Sequence, residues 1–207
     1  MFGCFVAGAA PIAKAQAVDQ PVQIVVLGDS LTAGYGLPGT AAFPARLERA
    51  LQAKGLKVAV ANAGVSGDTA SDGLARLDWS VPDGTDAVIL ELGANDALRG
   101  INPAVTRQAL ATILRRLKER NIPVLLCGML APRNLGRDYG RAFDAIYPEL
   151  AAAEAVLLYP FFLDGVATSP KLNLPDGMHP SEAGVDLIVA RILPKVEDLI
   201  AGVKTQN

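Results

Sequence analysis

The chain has 207 residues, 51% of them hydrophobic and 19% charged, with a net charge of −2 and a pI near 5.4. That length fits one domain with a sizeable buried core. The balance argues against a nucleic-acid partner, which needs a basic face.

The first residues, MFGCFVAGAAPIAKAQA, are apolar and small, and Ala15-Gln16-Ala17 fits a small-x-small cleavage site before Val18. Residues 1–17 are therefore expected to be an export signal clipped of its basic start, leaving residues 18–207 as a single mature domain. Such a protein is periplasmic or secreted; if the apolar start is not a signal, it is cytoplasmic. The run is too short to span a membrane, and no later stretch qualifies. With one histidine and two distant cysteines, Cys4 and Cys127, no zinc spacing exists. No carboxylate cluster asks for another metal, so neither metal nor cofactor is expected.

The remainder alternates in type. VQIVVLG (22–28) is an apolar run ending in Gly, a buried strand. Residues 42–55 have helical spacing through Phe43, Leu47, Ala50 and Leu51, and end at a Gly55 C-cap. Residues 56–64 read as the second strand, 69–77 as a short helix and 86–93 as the third strand. A helix follows over 103–120, with Val105, Ala109, Ile113 and Leu117 on one face. Its Arg107, Arg115, Arg116, Lys118 and Arg120 fall mostly opposite, as a solvated face. Residues 122–129 give the fourth strand. Residues 138–154 are helical with an interruption expected at Tyr147-Pro148, 155–162 hold the fifth strand, and 181–200 close the chain as a helix that Pro194 should kink. Five strands alternating with helices predict right-handed βαβ units. The expected fold is α/β, a three-layer α/β/α sandwich around a central parallel sheet of about five strands.

Ligands of such sheets bind beyond the carboxyl ends of the strands. Those positions carry Gly28-Asp29-Ser30, then Ala63 to Asp68, then Gly93-Ala94-Asn95-Asp96. Gly34-Tyr35-Gly36-Leu37-Pro38-Gly39 spells a dinucleotide fingerprint, but it starts six residues past Gly28 and has Pro38 where the phosphate-binding helix should run. No acidic residue follows at the ribose distance, so a loop explains the match. Ser30 read alone is most simply a helix N-cap, and His179 a residue flanking a helix. Neither GDSLT nor GVSGD fits the α/β-hydrolase nucleophile elbow. A serine nucleophile needs a base, and the base needs an orienting group. His179 is the one histidine, and Asp176 stands three residues before it.

Taken together, GDSLTAGYGL (28–37), NAGVSGDTA (62–70), ELGANDALRG (91–100) and PDGMHPSEAG (175–184) resemble the blocks of the SGNH (GDSL-type) hydrolase family, in order. The likeness covers about residues 22–200 and extends to the family's thioesterase I, lysophospholipase L1 and arylesterase group. The resemblance implies the family's flavodoxin-like fold, Ser30 as nucleophile, and Asp176 and His179 as its base pair. It implies an oxyanion hole of the Ser30 N–H, the Gly67 N–H and the Asn95 amide. It also implies hydrolysis of aryl or alkyl esters, and of acyl thioesters or lysophospholipids, so the expected partner is a small acyl ester or thioester. Loops 130–140 and 160–177 could line an acyl groove, with Phe161, Phe162, Leu172 and Leu174 as candidates and Tyr35 and Leu37 beside the nucleophile. The rival readings are a carbohydrate O-acetylesterase of the same family and a non-catalytic binding protein on this fold.

Overall fold

The structure, a computed structural model, describes residues 20–204; the expected export segment over residues 1–17 lies outside the described residues. Strands β1 (Val22–Gly28), β2 (Val58–Gly64), β3 (Ala87–Glu91), β4 (Val124–Cys127) and β5 (Leu157–Tyr159) form one parallel sheet. Its order is β2-β1-β3-β4-β5. Every residue of β3 and β4 is buried, as are the last five of β1. That is why these strands read as continuous apolar runs: a parallel sheet is covered on both faces.

The helices are α1 (Ser30–Ala33), α2 (Phe43–Ala53), α3 (Ala70–Ala75), α4 (Leu77–Ser80), α5 (Ala94–Leu98), α6 (Pro103–Glu119), α7 (Arg137–Asp144), α8 (Ile146–Glu154) and α9 (Glu182–Lys204). Right-handed crossovers divide the main ones into two layers. Helix α2 packs on α9 over one face of the sheet, and α6 lies beside α3 and α8 over the other. The chain leaves β1 in one direction and β3 in the other, so the order reverses between these two neighbours. A crevice opens at such a reversal. The register sharpens it: Gly28 is level with both Gly64 and Glu91, so the loops after β1, β2 and β3 begin at one height.

One proline expectation differs from the structure. The break in the 138–154 helix falls at Ala145, and Pro148 sits third in α8. The first-turn N–H groups have no intrahelical acceptor, so Pro is tolerated there. Helix α9 carries Pro194 in its interior, where the sequence places it. Strand β5 is the short strand held within 155–162, and Pro160, which cannot donate to the ladder, follows it directly. Phe161 and Phe162 therefore leave the sheet.

That departure overturns one groove expectation. Phe162 is fully buried, and its ring meets Phe43 edge-on with centroids 5.0 Å apart. It fastens the segment after β5 to α2 as core packing. Phe162→Ala is expected to cost about 3–5 kcal/mol of stability. A urea titration reads this as a lower midpoint at an unchanged slope; a midpoint equal to the parent's would contradict the assignment to the core.

Candidate active site

The nucleophile turn is built by burial and capping. After β1 the chain passes Gly28, where a Cβ would collide with Thr32 Oγ1 and come within 2.7 Å of the Glu91 carbonyl oxygen. Only Gly allows that approach. Asp29, not Ser30, caps α1: its Oδ1 accepts the Leu31 N–H at 2.9 Å. Ser30 is thereby the first helical residue, and its hydroxyl is free to face the loops opposite.

The loop after β5 brings the base to it. The Ser30 hydroxyl lies 2.9 Å from His179 Nε2. His179 Nδ1 lies 2.7 Å from Asp176 Oδ2. With Nδ1–H donating to the carboxylate, Nε2 is left as the acceptor of the Ser30 proton. Asp176 is itself held, since its Oδ1 accepts the Met178 and His179 N–H groups at 2.9 and 3.0 Å. The His179 and Met178 backbone donors, then the His179 ring, lower the Asp176 pKa to about 2. The carboxylate is therefore ionised at any ordinary pH. The loop is anchored where the Leu174 N–H donates to the His179 carbonyl at 2.7 Å and the Ser181 N–H to the Leu172 carbonyl at 2.9 Å. The Tyr35 ring lies over the imidazole at 4.4 Å.

Two more loops complete the rim. Gly67 follows β2 at φ +90°, a conformation that favours glycine. Its carbonyl accepts from Arg99 Nη2 at 2.7 Å, which fixes the peptide plane beside it. Among the described residues neither the Ser30 N–H nor the Gly67 N–H has a hydrogen-bond acceptor. Asn95 lies in α5, directly after β3, and its Nδ2 donates to Asp29 Oδ2 at 3.2 Å and to the Asp68 carbonyl at 3.0 Å. Serine hydroxyl, imidazole, carboxylate, two free N–H groups and a side-chain amide thus gather at the crevice between β1 and β3. That set can attack an acyl carbonyl and hold the resulting oxyanion.

Sequence reasoning missed the buried polar frame behind this rim. The Arg76 guanidinium donates to Asp68 Oδ2 at 2.6 Å, to the Gly28 carbonyl at 2.8 Å and to the Ala63 carbonyl at 2.9 Å. It ties the ends of β1 and β2 to the loop that carries Gly67. Asp96 accepts the Ala70 N–H at 2.9 Å and the Thr106 hydroxyl at 2.8 Å, joining α5 to α3 and α6. Glu91, wholly buried under the turn, accepts the Thr32 hydroxyl at 2.8 Å. Burial, with the nearby Asp29 charge, holds its pKa well above the carboxylate range.

A cleft of about 600 Å³ opens from Ser30, Asn95 and His179. Leu98, Met129, Leu130, Phe161, Leu163 and Met178 line it. Phe161, Leu37 and Leu172 all pack against the core, and of the three only Phe161 also lines the cleft. Leu174 lies against Gly36 and faces a smaller neighbouring depression with Pro170 and Pro175. Leu98, Leu130 and Met178 were not foreseen. All three are exposed, Leu98 by 55%. A larger groove of about 690 Å³ lies at the other end of the sheet, before β4 and β5, and contains none of the rim residues. Among the described residues no cluster of three His, Cys, Asp or Glu side chains could hold a metal, and no helix is long and apolar enough to cross a membrane.

Comparison with known proteins places esterases and acylhydrolases among the chain's relatives. A family model described as the GDSL-like Lipase/Acylhydrolase family matches residues 26–187. The arylesterase of Vibrio mimicus is 42% identical over 159 residues, covering 76% of this chain and 80% of that protein. The thioesterase 1/protease 1/lysophospholipase L1 of Escherichia coli K12 is 40% identical over 178 residues, covering 86% of this chain and 84% of that protein. The crystal structure of AlinE4, described as an SGNH-hydrolase family esterase, matches with a TM-score of 0.74 at 46% identity, covering 86% of this chain and 96% of that one.

Proposed function

This chain belongs to the GDSL-like lipase/acylhydrolase family and is an ester hydrolase, and we propose that it works through an acyl-Ser30 intermediate, with His179 as base and Asp176 as its orienting carboxylate. The observation that carries this is the unbroken relay from Ser30 Oγ to His179 Nε2 and from His179 Nδ1 to Asp176, at 2.9 and 2.7 Å. Ser30 Oγ bonds to the acyl carbon as its proton passes to Nε2. The carbonyl oxygen becomes an oxyanion facing the Ser30 and Gly67 N–H groups and the Asn95 amide. Collapse expels the alcohol or thiol, which takes the proton from His179. Water then repeats the sequence, releasing the acid and restoring Ser30. An intact relay of this kind argues against a binding protein with a decayed site.

The cleft points to the acyl side of the substrate. Its lining is mostly apolar, and its walls extend outward through Leu98, Leu130 and Met178. A medium or long acyl chain fits such a lining, in an aryl or alkyl ester, an acyl thioester or a lysophospholipid. Each methylene that the cleft covers contributes about 0.8 kcal/mol, roughly fourfold in kcat/KM. A p-nitrophenyl ester series from acetyl to dodecanoyl, run beside an acyl-CoA and an acetylated sugar, tests this. Rising kcat/KM over the first several methylenes is expected, and Leu98→Ser should flatten the rise. Preference for the acetylated sugar, or for acetyl over every longer ester, would favour a carbohydrate O-acetylesterase instead.

A further inference from the structure

We propose that Asp29 is a positioning residue for ester hydrolysis: its buried carboxylate holds the Asn95 amide with Nδ2, rather than Oδ1, directed at the Ser30 rim. The two ends of an Asn side chain are nearly equal in shape, so its partners decide which end faces where. Asn95 Nδ2 meets two groups, Asp29 Oδ2 at 3.2 Å and the Asp68 carbonyl at 3.0 Å. An ionised carboxylate and a carbonyl both only accept. A flipped amide would press Oδ1 against two acceptors in a site closed to water on the Asp29 side, where Asp29 is fully buried. The same carboxylate caps α1 through Leu31 N–H at 2.9 Å. It therefore links the helix that carries the Ser30 N–H to the side chain that supplies the third donor. Both amide hydrogens are engaged in the resting site. The oxyanion must share one, and the longer bond, to Asp29, is the more easily shared.

The linkage has a pH signature. Burial pushes the Asp29 pKa up to about 6, against the lowering effect of the Leu31 N–H, the nearby His179 and the Asn95 amide; Asp96 raises it further. Glu91, beneath the same turn, is the other carboxyl facing it. Below that pH the protonated Asp29 gains an O–H that can face Asn95 Oδ1, and the amide is no longer confined to one orientation. The shift also means that the ionised group costs the fold stability. Because the folded pKa lies above the unfolded value, stability falls as pH rises through about 6.

Asp29→Asn tests the idea while keeping a good helix cap. The inference rests on Asn95 as an oxyanion donor, so Asn95→Ala and the double variant are measured beside it. Asn95→Ala alone should lower kcat roughly 10²–10³-fold. Asp29→Asn should lower kcat about 10- to 100-fold at pH 8, the effect of losing one hydrogen bond to a charged group, with KM within about threefold. The ratio of parent to variant kcat should shrink towards one below pH 6, and the melting temperature at pH 8 should be no lower than the parent's. Added to Asn95→Ala, Asp29→Asn should cost less than about threefold more, because both act through one amide. Full kcat in Asp29→Asn, a kcat ratio constant from pH 5 to 8, a lower melting temperature accounting for lost activity, or losses that multiply in the double variant would each overturn the proposal. If Asn95→Ala keeps full kcat, the reading of Asn95 falls and this inference with it. If Asn95→Ala is impaired and Asp29→Asn is not, only this inference falls.

Discussion

Ser30→Ala is expected to lower kcat for p-nitrophenyl esters by about 10⁴–10⁶-fold while leaving the fold intact. The loss follows from the chemistry: without Oγ there is no acyl-enzyme, and only the oxyanion donors and the cleft remain to speed direct attack by water. The intact fold follows from the turn. Asp29, not Ser30, caps α1, and alanine has high intrinsic helix propensity. The Ser30 hydroxyl bonds only His179 among the described side chains, so its removal orphans no buried group. Circular dichroism and a thermal melt should match the parent. Full ester turnover by Ser30→Ala would end the proposed mechanism.

His179→Ala is expected to cost nearly as much, and the double variant with Ser30→Ala little more than either, because the two residues act as one unit. The sequence holds a single histidine, so no second imidazole can stand in. Added imidazole should restore part of the activity of His179→Ala, since the vacated space opens to the cleft, and none of the activity of Ser30→Ala. Losses that multiply in the double variant would show that His179 and Ser30 act independently. Asp176 frames the pH behaviour of this pair. Its backbone donors depress its pKa to about 2, so its contribution is present above that range and is lost only as pH falls through it. Activity lost between pH 8 and pH 4 therefore does not come from Asp176.

Much of the fold was legible because the sheet is buried on both faces. VQIVVLG needed no partner information to be read as a strand, and it is β1 residue for residue. Lys54-Gly55 marked the end of α2 because Gly55 adopts φ +80°. Pro148 misled for a physical reason: its cost depends on its place within a helix, and that place is set by packing rather than by the local pattern. Phe162 misled in the same way. Two adjacent phenylalanines after a strand cannot both face the same side, and only the packed chain shows that Phe161 lines the cleft while Phe162 meets Phe43.

The catalytic blocks stood out because each places a small or polar residue straight after a buried strand, where core packing offers no use for it. The frame behind them was silent. Asp29 and Asp96 stand at strand ends in the sequence, but nothing there marks them, Arg76 or Glu91 as buried by their partners. Leu98 and Met178 were passed over for a related reason. Leu98 lies three residues after Asn95 and Met178 directly before His179, inside the motifs themselves, and their exposure becomes meaningful only once Ser30 lies across the same cleft.

The central claim is that Ser30 carries the acyl group. Reaction with a fluorophosphonate, followed by digestion and mass spectrometry, tests it most directly. One phosphonyl group per chain on the peptide containing Ser30 is expected, with labelling abolished in Ser30→Ala and slowed by at least about 10³-fold in His179→Ala. A label on any other residue, or continued ester hydrolysis by fully labelled protein, would contradict it.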